Sequence, residues 1–192
     1  MSSISKLSEP CKMVLDIETD GFSEQNILQI SYIIADRDNH EVKRNNLYVY
    51  DGIHTQFFHE TSITEDEFIE QCISPSEACK IMNEDLKSIN TIVGHNIEKF
   101  DMKQLKKFFL SNGFDFPKKI IHDTMKEGTL IVKAKNKNGN LKSPNLPELY
   151  DFFFKKKFEN YHNAIYDCEA TLECYKMMYK RGYYKILQFR PY

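Results

Sequence analysis

The stretch "MVLDIETDGF", residues 13–22, sets three carboxylates, Asp16, Glu18 and Asp20, into an otherwise apolar run. In an extended strand Val14, Asp16 and Glu18 point to one face and Met13, Leu15 and Ile17 to the other. Two acids therefore share a face. Withdrawing a pair of like charges from water costs several kcal/mol, roughly, unless something neutralises them. Two arrangements relieve that cost: an edge strand whose polar face stays wet, or a central strand whose acids hold a metal ion or a proton.

Working outward, further strand signals lie at "NILQISYIIAD" (26–36) and "LYVY" (47–50), with Asp-Arg-Asp-Asn and Asp-Gly as turns. With "KMVLDI" (12–17) they predict three consecutive antiparallel strands. "SPSEACKIMNEDLKSI" (74–89) reads as a helix with Pro75 in its first turn and Ala78, Ile81, Met82, Leu86 and Ile89 inward. "TIVGHN" (91–96) predicts a short buried strand, and "IEKFDMKQLKKFFLSNG" (97–113) a helix ending at Gly113. A strand at "KKIIHD" (118–123), a helix after Thr124, a loop rich in Lys, Asn and Gly at 133–145, a helix from "NLPELYDFFF" (145–154) and a long helix from about Asn163 to Lys180 complete the chain. Strands in a run, followed by strands alternating with helices, imply an α/β fold: three antiparallel strands followed by two parallel ones in a mixed sheet flanked by helices. With no internal repeat or convincing linker, 1–192 is expected to be a single domain, with residues 1–10 frayed.

More acids fall where the core should be. Asp101 opens a helical stripe that continues through Leu105 and Phe108. In the last helix Ile165, Cys168, Leu172, Tyr175 and Tyr179 form the inward stripe, and Asp167 borders it. His162 stands five residues before Asp167, about 140° away on a helix, so to share a site with it His162 must lie on the loop that Asn163 caps. Each residue also has a plain explanation: an Asp in a first helical turn suits the helix dipole, and a His before a helix is commonly on the surface. Together, four carboxylates at the ends of core-forming elements have the makings of a two-metal site, with ions about 3.5–4 Å apart. Such a site holds Mg²⁺ through a few carboxylates, waters and a substrate phosphate.

The charge is divided unevenly along the chain. Residues 1–100 carry 8 Lys and Arg against 18 Asp and Glu, a net of −10; residues 101–192 carry 18 against 10, a net of +8. Much of the basic excess lies in "KQLKK" (103–107), "KAKNKNGNLK" (133–142) and "KKK" (155–157), as suits a polyanion held by one half while cations sit in the other. Any one of these runs also reads as a solvated face. Five cysteines, at 11, 72, 79, 168 and 174, lack Cys-x-x-Cys spacing and read as reduced packing residues. The polar opening "MSSISKLSEP" and the absence of an apolar run near 18 residues lead to the expectation of an intracellular protein off the membrane.

"DIETDG" (16–21), "GHNIEKFD" (94–101) and "HNAIYD" (162–167) resemble the three ordered motifs of the DnaQ-like, DEDDh-type 3′→5′ exonucleases, whose fold is ribonuclease H-like. The resemblance runs from Asp16 to Asp167, with "IIHDT" and "PELYDFF" similar to the family's connecting segments. The family's other subtype has a Tyr four residues before the last Asp, a place that Asn163 takes here.

The resemblance implies a 3′→5′ exonuclease releasing nucleoside monophosphates from DNA or RNA with two Mg²⁺ or Mn²⁺ ions. Asp16 would bridge both metals, Glu18 and Asp167 would bind the one beside the attacking water, and Asp101 would hold the second. His162 would be the general base. Thr19 would touch the terminal nucleotide, Phe22 would stack on the last bases, Asn96 would support the second motif, and Lys133, Lys135 and Lys137 would meet phosphates. Asp20 departs from the Thr common before the motif's Gly and places another negative charge near the scissile end. Asp123 receives no metal role and reads as a helix cap. The expected partner is a single-stranded or frayed 3′ end; a polymerase partner and a homodimer are both compatible with this. Two alternatives remain open: a phosphodiesterase for very short RNA, and a catalytically idle nucleic-acid-binding or scaffold module of the same fold.

Overall fold

A computed structural model describes residues 11–20, 26–50, 63–158 and 163–183. Phe22, His162, the Asp-Gly turn at 51–52 and the expected fraying of 1–10 lie outside the described residues.

Among the described residues five strands, β1 (Cys11–Thr19), β2 (Ile27–Ala35), β3 (Glu41–Tyr48), β4 (Ile89–Gly94) and β5 (Ile120–Asp123), form one sheet in the order β3-β2-β1-β4-β5. β1, β2 and β3 pair antiparallel, while β4 and β5 add to β1 in parallel. This is the mixed, ribonuclease H-like sheet expected from the sequence. β1 is its middle strand, which rules out the wet-edge arrangement for the paired acids.

The helices are α1 (Glu65–Gln71), α2 (Pro75–Leu86), α3 (Asp101–Ser111), α4 (Thr124–Val132), α5 (Leu146–Phe154) and α6 (Ala164–Lys180). Local chemistry explains their starts. Ser74 accepts from Glu77 N ahead of Pro75, and Asn145 and Glu148 form a reciprocal capping box. Gly113, at φ 79°, supplies the left-handed residue just past α3.

On one sheet face Met13, Leu15, Ile30 and Tyr32 pack with Met82 and Leu86 of α2 and Leu105 and Phe109 of α3. On the other, Val14, Ile33 and Val93 pack with Leu149 and Phe153 of α5 and Cys168 and Leu172 of α6. All five cysteines are free thiols, four of them buried, as packing residues should be. Among the described residues no helix is long and apolar enough to cross a membrane.

The boundaries differ from expectation in several places. α2 ends at Leu86, and Ile89, expected on its inward face, opens β4 instead, where it pairs with Cys11 of β1. β3 begins at Glu41, and of "LYVY" only Leu47 and Tyr48 belong to it. As an edge strand it exposes Glu41, Val42, Lys43 and Arg44, with Arg44 paired to Glu41 and Glu169, so charge that protects an edge hid the strand. α3 starts at Asp101 because Asn96 adopts a left-handed φ of 63° and 97–100 turn. Along α6 the inward stripe passes from Tyr175 to Met178, leaving Tyr179 exposed.

Candidate active site

β1 outruns its parallel neighbour. The last registered β1–β4 pair is Val14 with Val93, and β4 ends at Gly94. Gly94 is needed there: a Cβ would come within 2.9 Å of Leu15 O and closer still to the Ile97 side chain. Beyond the parting, the N–H of Ile17 donates to Asp101 Oδ1 at 3.1 Å, a side chain supplying an acceptor where β4 no longer does. The crevice at the carboxyl ends of parallel strands is where open α/β sheets commonly bind ligands.

Asp16 and Glu18 continue the Val14 face into this crevice. Asp167, in the first turn of α6, meets them there: one carboxylate oxygen from each of the three lies within 4.8 Å of the others. α6 is seated on the sheet through Cys168, whose Sγ donates to Ser31 O at 3.2 Å. Asp101 stands outside this trio but is close enough to act on Asp16. Burial first, then the charges of Asp101, Asp167 and Glu18, push the Asp16 carboxyl far above its usual range. Burial likewise lifts Asp101 to about 7, against the opposing hydrogen bonds from its own N–H and that of Ile17.

The donor set fits a hard divalent cation. All its donors are carboxylate oxygens carried on regular elements, and without a cation their mutual repulsion is relieved only by protons. Cys168 does not join them as a thiolate, because burial and the neighbouring acids hold its thiol protonated.

The remaining residues divide clearly. Thr19 is buried at a register shift, where β2 pairs it with Ile27 after Glu18 has paired with Gln29; such bulges re-aim side chains. Asp20 is a latch. Its Oδ1 accepts from Asn26 N at 3.1 Å, its Oδ2 from Asn26 Nδ2 at 2.7 Å, and its N donates to Asn26 O at 3.1 Å. Its charge is therefore engaged with Asn26. Asn96 is half-buried, its N–H donating to Asp123 Oδ1 at 3.0 Å. Lys133, Lys135 and Lys137 lie on the segment between α4 and α5, all three exposed. Asn163 occupies the N-cap position of α6 without a side-chain cap bond.

Two supports escaped the sequence reading. Asp123 does cap α4, accepting from Met125 N and Lys126 N, but it also takes the N–H groups of Asn96 and Glu98 and so fixes the turn that delivers Asp101. His95 lies between Thr124 Oγ1 (3.0 Å) and Pro144 O (3.1 Å), and burial lowers its pKa to about 4, so it is a neutral brace. The Gly-His-Asn run ahead of the acid was the available signal; the partners of His95 are 29 and 49 residues away.

Comparison with known proteins agrees with this fold. E. coli exonuclease I in complex with a dA16 oligonucleotide superimposes with a TM-score of 0.72, covering 95% of this chain and 44% of that one at 16% identity. Its dT13 complex gives 0.74, 94% and 43% at 16% identity, and a product-bound exonuclease I gives 0.73, 94% and 46% at 14% identity. The chain thus spans less than half the length of these structures, and at such identities the likeness establishes the fold. No curated protein sequence matches significantly. The RNase_T family, described as Exonuclease, matches residues 13–175, the span that contains all four acids. The chain belongs to this DnaQ-like RNase_T exonuclease family.

Proposed function

We propose that the chain is one exonuclease domain that removes nucleoside monophosphates from the 3′ end of a single-stranded or frayed polynucleotide, using two Mg²⁺ or Mn²⁺ ions. The observation that carries this reading is the meeting of Asp16, Glu18 and Asp167 within 4.8 Å beside Asp101 at the end of β1. The oligonucleotides bound in the exonuclease I structures support a single-stranded substrate.

In this reading the bound cations supply charge stabilisation at the phosphate and make water a better nucleophile near neutral pH. Asp16, Glu18 and Asp167 would hold one ion, and Asp101 would hold the other together with Asp16. His162 accepts the proton of the attacking water, a role worth about 10²–10⁴-fold. Thr19, on the bulge, meets the terminal nucleotide, and Phe22 stacks on the last bases. Asn96 supports the turn carrying Asp101, while Lys133, Lys135 and Lys137 meet backbone phosphates.

The test uses 5′-labelled DNA and RNA oligonucleotides, with Mg²⁺, with Mn²⁺ and with EDTA. Stepwise shortening from the 3′ end, released monophosphates and silence in EDTA are expected. Binding without shortening under every condition would leave a catalytically idle module, and shortening confined to very short RNA would make it a short-RNA phosphodiesterase.

A further inference from the structure

β1 and β2 set Glu18 opposite Gln29 and Asp16 opposite Ser31, on the sheet face that α6 covers. Opposed residues on one face of an antiparallel pair lie about 4.5–5.5 Å apart at Cβ. β3 extends the row, with Asn46 opposite Ser31 and Tyr48 opposite Gln29. Gln29 and Ser31 are both 0% exposed, and their position beside the acids is matched by no hydrophobic role.

The row is continuously hydrogen-bonded. Gln29 Nε2 lies 2.7 Å from Asn46 Oδ1, Ser31 Oγ lies 2.6 Å from the same oxygen, and Asn46 Nδ2 lies 3.1 Å from the Tyr48 hydroxyl. With donors in that sense, Gln29 and Ser31 both donate away from β1. Gln29 Oε1 is then buried with no hydrogen-bond partner among the described residues, a state that generally costs about 1–3 kcal/mol. A half-turn of both amides about their last side-chain bonds keeps the shape of the row and reverses it. The Tyr48 hydroxyl then donates to Asn46 Oδ1, and Asn46 Nδ2 donates to Gln29 Oε1 and Ser31 Oγ. Gln29 Nε2 becomes available to β1, where its opposite neighbour is Glu18.

We propose that the row runs in this reversed sense, and that Gln29 is a positioning residue whose amide donates to the Glu18 carboxylate. The inference rests on the cation reading of the acidic site. Such a donor holds the Glu18 carboxylate in one rotamer and offsets part of the repulsion among the acids before a cation arrives. Partners of this kind typically contribute about 10–100-fold to metal affinity.

The experiment is Mn²⁺ calorimetry on the wild type, Asn46→Asp and Gln29→Met, with thermal melts to establish folding. Asn46→Asp presents only acceptors, so it draws the Gln29 donor back toward β3. The reversed row predicts an affinity about 10–100-fold weaker in Asn46→Asp and in Gln29→Met. Unchanged or tighter Mn²⁺ binding by Asn46→Asp would overturn the proposal, since an outward row keeps its bonds and gains a negative charge. Absence of Mn²⁺ binding by the wild type would instead overturn the cation reading. The side-chain amide proton of Gln29 in the metal-free protein then tests the row alone: it should be shifted downfield by the carboxylate and return in Asn46→Asp.

Discussion

The two faces of β1 begin alike and end differently. Toward α2 and α3, Met13, Leu15 and Ile17 stay apolar to the end of the strand and are buried throughout. Toward α5 and α6, Val14 is buried in the same way, but Asp16 and Glu18 follow it into the crevice that Asp167 closes. One strand thus carries a face that stabilises the fold and a face that accumulates repulsion. The difference teaches that removing a side chain from the two faces should act in opposite directions, a loss of packing on one and a relief of charge on the other.

The largest effect is expected on the acidic face. Asp16→Asn should lower exonuclease turnover by about 10³-fold, because cation stabilisation of a phosphoryl transition state is worth several kcal/mol. The metal-free variant should melt at or above the wild type. A variant with wild-type turnover would remove Asp16 from the site, and a lower melt would mean that the carboxylate serves the fold.

On the apolar face, Leu15→Ala should cost about 2–5 kcal/mol in denaturant unfolding, while turnover per folded molecule stays near that of the wild type. Turnover that falls as far as in Asp16→Asn would dissolve the distinction between the faces.

A smaller effect separates the faces by pH. The folded-state pKa of Asp101, about 7, lies above its ordinary value of 3.8, so the native protein binds the proton more tightly than the unfolded chain does. That contribution to stability is complete below about 3.8 and is lost as pH rises to about 7. Asp16, shifted the same way, acts in the same direction. In EDTA the urea midpoint should therefore fall as pH rises from about 4 to about 7, less steeply in Asp101→Asn; an identical slope in the variant would assign the effect elsewhere.

The smallest effect concerns the lysines at a distance in sequence from either face. Replacing Lys133, Lys135 and Lys137 by Gln should flatten the salt dependence of oligonucleotide binding by about 0.7 in log–log slope for each phosphate no longer neutralised. An unchanged slope would leave the three as solvated side chains.

What the amino-acid sequence determined by itself is whatever depends on neighbours along the chain. The alternation in 13–18 assigns the two faces of β1, Ser74-Pro75 and Asn145 with Glu148 start two helices, and Gly113 follows the end of another. The order of the three acidic motifs pointed to the family, and the central sheet followed from strands that precede strand–helix alternation. The tertiary structure decided what depends on partners far along the chain. Glu41–Tyr48 is a strand only because β2 supplies its ladder, its own exposed charge giving no periodic signal. Asp20 reads as an added charge at the site until Asn26 folds back onto it. Asp101 reads as a helix-start residue until β4 ends short of β1 and leaves Ile17 N–H to be met, 84 residues away. Gln29 is one more polar residue in a string of letters, and only strand register sets it opposite Glu18 with every atom buried. Hydrogen-bond direction and electrostatic repulsion act through space, so they are set by which elements meet, and that is fixed only once both faces of the sheet are covered.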